Sequence, residues 1–292
     1  MILVIGANGI TGRSIVQHLN ARGAAVRGFV SNARSAESVS ALGAQAAIGD
    51  IRDEASLTDA MRGVERVYHI CPRMQSDEHA IGCTVIAAAK RAGVDHVVFH
   101  SATPPHLEDV PFHWEKMKVE VALLESGLDF TVLRPTNYMQ NLQWTWKRIV
   151  DEGVWELPYA PERVLSWIDI DDLGEAAAIV LTDDGHKGAT YEVCGQPPIS
   201  RTAAAAIIAE TIGRPVRATK IAIDDYFAMP YWQGRKPEDL ARLATMFDHY
   251  DRVGCNIGNV NVLTMLLGRP PTDYRRFVAR FAAERQAPAG AG

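Results

Sequence analysis

The chain has 292 residues, with 30 lysines and arginines against 35 aspartates and glutamates, and a formal net charge of −5. Hydrophobic residues make up 47% and charged residues 22%, the mixture of an ordinary globular protein with a large core. A mildly acidic chain without a run of basic residues is not typical of proteins that bind nucleic acids generally. No stretch of about 18 uninterrupted apolar residues occurs, so a membrane-spanning helix is not expected.

The cysteines, at positions 71, 83, 194 and 255, lie far apart and form no Cys-x-x-Cys motif. This spacing predicts reduced thiols and a cytoplasmic protein, with neither a disulfide framework nor a zinc site. The first residues carry no basic segment ahead of the apolar run, so a signal peptide is not expected. Other metal-binding motifs are also missing from the sequence, which therefore predicts no metal.

Short apolar runs alternate with helical stretches through the first half of the chain. The patterns predict strands over residues 1–5, 25–30, 45–48, 66–70, 96–100 and 130–133. They predict helices over residues 10–19, 37–42, 56–62, 77–92 and 114–126, with Ser56 as the cap of the third. Strands alternating with helices of this length indicate right-handed crossovers and a parallel sheet that is covered on both faces.

The alternation loosens after about residue 150. Helices are predicted over residues 171–181, 202–212, 238–250 and 272–284, and strands over residues 190–194 and 216–223. The predicted fold class is therefore α/β, a doubly wound parallel sheet with a smaller C-terminal α/β lobe. We expect residues 1–150 to form the sheet domain and 151–285 the lobe, from which the sheet can borrow strands. The small, Pro- and Gly-rich residues 286–292 are expected to be a disordered tail.

The strongest motif is the glycine-rich segment GANGITG at residues 6–12, between the first predicted strand and the first predicted helix. Its glycines permit a tight turn, let the backbone approach a diphosphate, and let the helix pack close to the strand. The helix N-terminus then offers free N–H groups and a partial positive charge. The segment predicts a dinucleotide site; the alternative is a capping turn in a fold that has lost its ligand.

Further segments make the chain resemble the NmrA-like family of atypical short-chain dehydrogenase/reductases. They are GDIRD (49–53), HVVFHSA (96–102), SGLDFTVLRPTNYMQN (126–141), WIDIDDLGEAAAIVL (167–181), YEVCGQPPIS (191–200) and GRPPTDYRRFV (268–278). The resemblance covers nearly the whole chain. It implies a Rossmann-type NAD(P)-binding domain whose C-terminal lobe lies over the nicotinamide.

The glycine turn and the resemblance together give a set of candidate cofactor-binding residues. The resemblance implies that Asp50 and Ile51 flank the adenine, with Asp50 accepting a hydrogen bond from its amine; a turn role is the alternative for Asp50. The candidates are Gly6, Asn8, Gly9, Ile10, Thr11, Gly12, Ser31, Arg34, Asp50, Ile51, Cys71, Ser101, Lys116, Thr136 and Asn137.

The end of the second predicted strand bears on the choice between NAD and NADP. An NAD site usually has an acidic residue there, about 20 residues beyond the glycines. This chain instead reads VSNAR over residues 30–34. Arg34 is suited to a 2′-phosphate, and Arg13 adds a second positive charge. NADP(H) is therefore favoured and NAD(H) remains open, the alternative being that both arginines are solvated surface residues.

The tyrosine that short-chain dehydrogenases use is missing. These enzymes carry a Tyr-x-x-x-Lys pair, whose tyrosine exchanges a proton with the substrate while the lysine holds the nicotinamide ribose. Here Lys116 is present but Phe112 stands four residues before it, and phenylalanine cannot transfer a proton. The resemblance implies that Lys116 contacts the ribose and nicotinamide. The alternative is a solvated helix lysine beside Glu120.

Other side chains are candidates for the proton donor or for a substrate contact. His113 has a suitable unperturbed pKa, Tyr138 follows a strand end where α/β sheets bind ligands, and Ser101 ends the fifth strand. The candidate catalytic residues are therefore Lys116, His113 and Tyr138, with packing or capping as the alternative for His113, Tyr138 and Ser101. Either an aromatic substrate pocket or an aromatic core is predicted from Trp114, Tyr138, Trp144, Trp146, Trp167, Tyr231 and Trp232.

Two functions remain open. The first is an NAD(P)H-dependent reductase of a small conjugated or aromatic substrate, such as a quinone or an enone, because such acceptors do not require the missing tyrosine. The second is a non-catalytic NADP(H)-binding redox sensor, for which a protein partner is expected; a homodimer is left open for either. An epimerase or lyase fits less well, because Phe112 removes the usual base.

Overall fold

The structure is a computed structural model and describes residues 1–73, 75–254 and 257–286. The strands, numbered in chain order, are β1 Ile2–Ile5, β2 Val26–Val30, β3 Gln45–Ile48, β4 Arg66–His69, β5 His96–His100, β6 Phe130–Pro135, β7 Asn137–Tyr138, β8 Val154–Leu157, β9 Val164–Leu165, β10 Trp167–Ile168, β11 Thr190–Val193, β12 Ile199–Ser200 and β13 Arg217–Lys220. The α-helices are α1 Ile10–Ala21, α2 Ala33–Ser40, α3 Glu54–Ala60, α4 Glu78–Ala92, α5 Pro111–Ser126, α6 Trp146–Glu152, α7 Ile170–Thr182, α8 Arg201–Ile212, α9 Ile223–Phe227, α10 Pro237–Val253, α11 Val260–Leu267 and α12 Tyr274–Gln286. Short 3-10 helices cover Met139–Trp144 and Pro230–Trp232.

Seven strands form the central sheet in the order β3-β2-β1-β4-β5-β6-β11, and every pair is parallel. The chain first builds outward from β1 through β2 to β3, then crosses back to place β4 on the other side of β1. The carboxyl ends of β1 and β4 therefore flank the point at which the strand order reverses, where open α/β sheets bind ligands. The predicted α/β fold class is confirmed.

Both faces of the sheet are buried, because alternate residues of each strand point to opposite sides. On β1, Ile2 and Val4 join a core with α1, α2, α7 and α11, whereas Leu3 and Ile5 join a core with α3, α4 and α5. The strands are therefore apolar along their whole length, as the sequence predicts for a covered parallel sheet.

The C-terminal lobe has its own core, rich in aromatic residues and built on α6, α8, α10 and α12 with the β8–β13 pair. The division between lobe and sheet does not follow the chain in order. Strand β11 adds the seventh strand beside β6, and α7 packs on α1 against the sheet, although both lie beyond residue 150. The chain therefore returns to the edge of the sheet after it has begun the lobe.

Helix caps account for two differences from the sequence-based boundaries. Helix α3 begins at Glu54 because the Asp53 side chain accepts hydrogen bonds from the N–H groups of Ala55 and Ser56, so the prediction of Ser56 as the cap was wrong. Helix α2 begins at Ala33, four residues earlier than predicted. Its cap is Asn32, and no repeat of apolar residues in the sequence indicates that a helix begins there.

Two boundaries in the second half also differ. The strand predicted over residues 216–223 is shorter, because Arg217–Lys220 pairs with β8 and Ile223 already begins α9. Gln286 is the last residue of α12 and not the first of a tail, and the remaining predicted tail, 287–292, lies outside the described residues.

Two findings bear on the sequence-based exclusions. In the part of the chain that the structure describes, none of the helices combines the length and apolar character that crossing a membrane requires. Cys71, Cys83 and Cys194 are free thiols, and position 255 lies outside the described residues.

Candidate cofactor and active site

The glycine-rich turn lies at the switch point between β1 and β4. Gly6 has a φ of 79°, and a Cβ there would lie 2.7 Å from the Ile70 side chain and 3.0 Å from the Ile70 carbonyl oxygen. Only glycine combines this left-handed backbone with so close an approach. The turn is therefore held tightly against the end of β4.

Gly12 lets the first helix start against the turn. A Cβ at Gly12 would lie 2.2 Å from the Gly6 carbonyl oxygen, which already accepts a hydrogen bond from the Gly9 N–H at 3.0 Å. Among the described residues, no side chain caps α1, whose first turn is also free of acidic residues. The N–H groups that begin α1 and its partial positive charge are therefore left for an anion, and the three glycines fit a bound diphosphate.

Residues beyond β2 lie beside this turn. The Asn8 side chain donates a hydrogen bond to the Ser35 hydroxyl at 3.1 Å, which ties the turn to α2. Ser31 is exposed and accepts a hydrogen bond from the Asn32 amide. Within the described residues, the guanidinium groups of the exposed Arg34 and the half-buried Arg13 have neither a hydrogen bond nor an ion pair, so both are available to an anionic ligand.

The two candidates for the adenine contact differ in their surroundings. Asp50 is exposed, and its carboxylate accepts a hydrogen bond from the Arg52 N–H at 2.9 Å, which is the turn role that the sequence left open. Ile51 is 8% exposed and belongs to the core beneath α3 and α4. Contact with an adenine stays a prediction for both, and the burial of the Ile51 side chain confines any such contact to its backbone.

Lys116 forms a buried ion pair on the ligand side of the sheet. Its ammonium group lies 2.5 Å from a carboxylate oxygen of Glu78, and the two side chains are 17% and 5% exposed. The alternative that Lys116 is a solvated residue beside Glu120 is therefore wrong. Cys71 is buried near this pair, and its burial raises the pKa of its thiol, so the thiol stays protonated. The first turn of α4 places Glu78, which the sequence analysis did not identify.

Ser101 has a structural partner. It is 1% exposed, and its hydroxyl donates a hydrogen bond to Glu120, which is paired with Arg134. This geometry does not support the expected contact between Ser101 and a ligand, because the hydroxyl proton is already used inside the protein.

His113 is not arranged as a proton donor. It is 5% exposed, and its Nδ1 lies 2.6 Å from the Pro104 carbonyl oxygen. Because a carbonyl only accepts, Nδ1 carries the proton and donates it there. Burial lowers the pKa of His113 to about 4, so the ring is neutral near pH 7. The expectation that His113 replaces the missing tyrosine is corrected: burial removes the charge, and Pro104 occupies the one N–H.

Tyr138 belongs to a chain of three side chains. Its hydroxyl lies 2.5 Å from His100 Nε2, and His100 Nδ1 lies 2.5 Å from the Tyr68 hydroxyl. Burial raises the pKa of the Tyr138 hydroxyl, and the nearby side chain of Thr11, from the glycine-rich turn, acts in the opposite direction. The structure thus brings a predicted cofactor residue and a predicted catalytic residue together. His100 and Tyr68 were missed, because both look like ordinary buried strand residues in the sequence.

The other two candidates on this edge follow β6. Thr136 is 3% exposed, and within the described residues its buried hydroxyl has no hydrogen-bond partner. Asn137 is half-buried, takes part in polar interactions, and pairs with Trp167 in the short β7–β10 ladder. Both lie at the carboxyl end of the sheet, and their contact with a cofactor stays a prediction.

The aromatic residues divide between core and crevice. Trp146, Trp167, Tyr231 and Trp232 pack in the core of the lobe. Trp144 is 46% exposed, and the guanidinium carbon of Arg73 lies 5.5 Å from the centre of its ring. Phe112 packs on the lobe beneath Arg242, at 4.8 Å. The alternative of an aromatic core therefore describes most of the set. Across the described residues, no cluster of acidic, cysteine or histidine side chains is placed to hold a metal ion.

The sheet order and the glycine-rich turn define a dinucleotide-binding protein of the Rossmann type. The model of the NmrA-like family matches residues 1–261, and the chain belongs to this family. The resemblance seen in the sequence is thereby confirmed.

Two curated relatives match nearly the whole chain. The chain is 30% identical over 286 residues to NAD(P)H azoreductase of Xenophilus azovorans, covering 97% of this chain and 98% of the relative. It is 27% identical over 281 residues to quinone oxidoreductase 2 of Escherichia coli, covering 96% and 98%.

Two solved structures are similar over the same length. The NADPH-dependent quinone oxidoreductase QOR2 of Escherichia coli, in complex with NADPH, has a TM-score of 0.86 at 26% identity and covers 97% of this chain and 100% of its own. The triphenylmethane reductase of Citrobacter sp. has a TM-score of 0.83 at 22% identity and covers 96% and 99%, and it shares the fold.

Proposed function

We propose that the protein is an NADPH-dependent reductase that transfers a hydride to small conjugated or aromatic compounds such as quinones. The observation that carries this proposal is the place of the half-buried Tyr138 directly after β6, because it sets a polar group for a substrate at the carboxyl end of the sheet, where the glycine-rich turn also lies. Relatives named as an azoreductase and a quinone oxidoreductase, similar over nearly the whole chain, support the same reaction class.

The residues of the crevice fit a bound NADPH. The glycine-rich turn and the start of α1 would bind the diphosphate, Arg13 and Arg34 the 2′-phosphate, and Lys116 the ribose and nicotinamide. When bound, NADPH supplies a hydride. The overall reaction consumes NADPH, a quinone and one proton from water, and yields NADP⁺ and the hydroquinone. Phe112 supplies no proton, which favours acceptors that take a hydride without an obligatory acid.

Stopped-flow measurement of NADPH absorbance tests this function against a panel of quinones, enones and azo dyes. We expect saturable oxidation of NADPH with at least one quinone. Tight NADPH binding without turnover of any panel member would contradict the reductase and support the redox sensor. A cytoplasmic location, and a homodimer or protein partner, remain predictions.

Arg34→Ala should lower the affinity for NADPH about 10-fold and leave that for NADH nearly unchanged, because NADH lacks the 2′-phosphate that the arginine would bind. Isothermal titration calorimetry with each nucleotide measures this difference. Arg62→Ala is the matched control, since Arg62 is 76% exposed on the surface and pairs with Asp59. Equal losses of affinity for NADPH and NADH would show that Arg34 does not bind the 2′-phosphate.

Lys116 has to be tested together with Glu78. Removing the lysine alone leaves a buried carboxylate without its counterion, which costs about 3–5 kcal/mol of stability. Lys116→Met combined with Glu78→Gln removes both charges, so the fold should persist while NADPH affinity falls about 10-fold. The same change in the more exposed pair Lys118 and Glu115 is the control, measured by the same titration. Unchanged NADPH affinity in the first double variant would show that Lys116 does not contact the cofactor.

A further inference from the structure

Three aromatic side chains form a hydrogen-bonded chain from the crevice into the core. Tyr138 is half-buried at the carboxyl end of the sheet, His100 is 3% exposed at the end of β5, and Tyr68 is fully buried on β4. Both hydrogen bonds of the chain are 2.5 Å long. Tyr138 is therefore the member of the chain that reaches the crevice.

His100 is neutral, so it has one N–H. Burial lowers its pKa well below the ordinary value, and the nearby Lys116 and His69 act in the same direction. A neutral imidazole donates from one ring nitrogen and accepts at the other. The two tyrosine hydroxyls therefore take opposite roles toward His100.

Tyr68 determines which of the two ring nitrogens of His100 carries the proton. Within the described residues, His100 Nδ1 is the only hydrogen-bond partner of the Tyr68 hydroxyl. If Nδ1 carried the proton, Tyr68 would accept from it and its own O–H would be left without an acceptor in the core, which is unfavourable for a buried donor. The favourable order has Tyr68 donating to Nδ1, and Nε2–H donating to the Tyr138 oxygen.

This order leaves the Tyr138 proton free to point away from His100. Burial raises the pKa of Tyr138, so its hydroxyl stays protonated. The Tyr138 hydroxyl is therefore an O–H donor whose direction is fixed by its hydrogen bond with the neutral imidazole of His100.

We propose that the Tyr138 hydroxyl donates a hydrogen bond to the substrate oxygen, and that His100 and Tyr68 are positioning residues that fix the direction of this donor. The inference rests on the proposed function and deepens it. Negative charge grows on a carbonyl oxygen as the conjugated substrate accepts a hydride, and a preoriented donor stabilises that charge. The hydrogen bond from Nε2–H to the Tyr138 oxygen strengthens the donor.

The protonation of His100 can be measured without any turnover. In the ¹⁵N-histidine-labelled protein, His100→Gln identifies the His100 signals among the nine histidines. We expect an unprotonated Nδ1 and a protonated Nε2, with the preference for this tautomer lost in Tyr68→Phe. A protonated Nδ1 in the unmodified protein would overturn the proposal, because Tyr138 would then have to donate to His100.

A double-variant cycle measures the positioning role. Tyr138→Phe should lower the rate of hydride transfer at saturating quinone about 100-fold, with NADPH affinity within about 2-fold. Tyr68→Phe should lower the rate about 5-fold in the unmodified protein and have no further effect when Tyr138 is already phenylalanine. Tyr274→Phe, which removes a buried hydroxyl that takes no part in this hydrogen-bonded chain, should leave the rate unchanged.

The outcomes separate this inference from the proposed function. Equal effects of Tyr68→Phe in the two backgrounds, or an unchanged rate in Tyr138→Phe, would overturn the positioning chain while the reductase stands. If NADPH binds but no panel member is reduced, the reductase fails, and the role of Tyr138 as a substrate donor fails with it. The tautomer measurement then still decides the order of protons along the chain.

Discussion

Replacing Gly12 with alanine should weaken NADPH binding by at least about 100-fold, equivalent to about 2.8 kcal/mol. The added Cβ would lie 2.2 Å from the Gly6 carbonyl oxygen and 2.8 Å from the Ala7 Cα, which are both backbone atoms that cannot rotate away. The start of α1 must then move away from the turn. Its N–H groups would no longer converge on the diphosphate with the turn of the unmodified protein.

Calorimetric titration with NADPH measures this loss, and circular dichroism reports whether the variant is folded. Gly153→Ala is the matched control. Its Cβ would also meet a backbone carbonyl, that of Pro215 at 2.8 Å, and its φ is 69°, but it lies in the lobe at the start of β8. A folded Gly12→Ala variant that binds NADPH as tightly as the control does would refute the assignment of the turn.

Replacing Arg201 with methionine should destabilise the protein by about 3–5 kcal/mol. Arg201 is fully buried at the start of α8, and its guanidinium group donates hydrogen bonds to the carbonyl oxygens of Trp155, Thr219 and Tyr159. The guanidinium carbon of Arg201 also lies 4.8 Å from the centre of the Tyr159 ring. Methionine fills similar space but donates nothing, so these carbonyls would lose their donor inside the lobe.

Urea unfolding followed by tryptophan fluorescence measures the change in the free energy of unfolding. Arg275→Met is the control, because Arg275 is 58% exposed and pairs with Glu210 on the surface. That change should cost about 0.5 kcal/mol or less. A loss below about 1 kcal/mol in Arg201→Met would show that the three carbonyls find other partners.

The difference between expectation and structure at His113 and Ser101 has one physical origin. Both lie in the segment where the sequence places a substrate contact, and both side-chain types suit such a contact. Whether the proton is available depends on a distant acceptor: the Pro104 carbonyl for His113, and Glu120 for Ser101. Spacing along the chain carries no information about such acceptors.

Glu78 and Tyr68 show the same limit of sequence-based prediction, here for residues that it did not identify. Glu78 begins a helix, where a carboxylate is usual, and Tyr68 reads as one more apolar residue of a buried strand. Their relations to Lys116 and His100 join α4 with α5 and β4 with β5. The sequence gives each partner separately, and packing of neighbouring elements makes the pair.

The sequence by itself determined the alternation of strands and helices, the covered parallel sheet and the glycine-rich turn. These follow from periodicity and from backbone freedom at single residues, which are local properties. Only the tertiary structure decided that β11 returns to the sheet, which candidate protons are already used, and that Tyr138 pairs with His100. Burial and hydrogen-bond partners are set by residues far apart in the chain, so they exist only once the chain has folded.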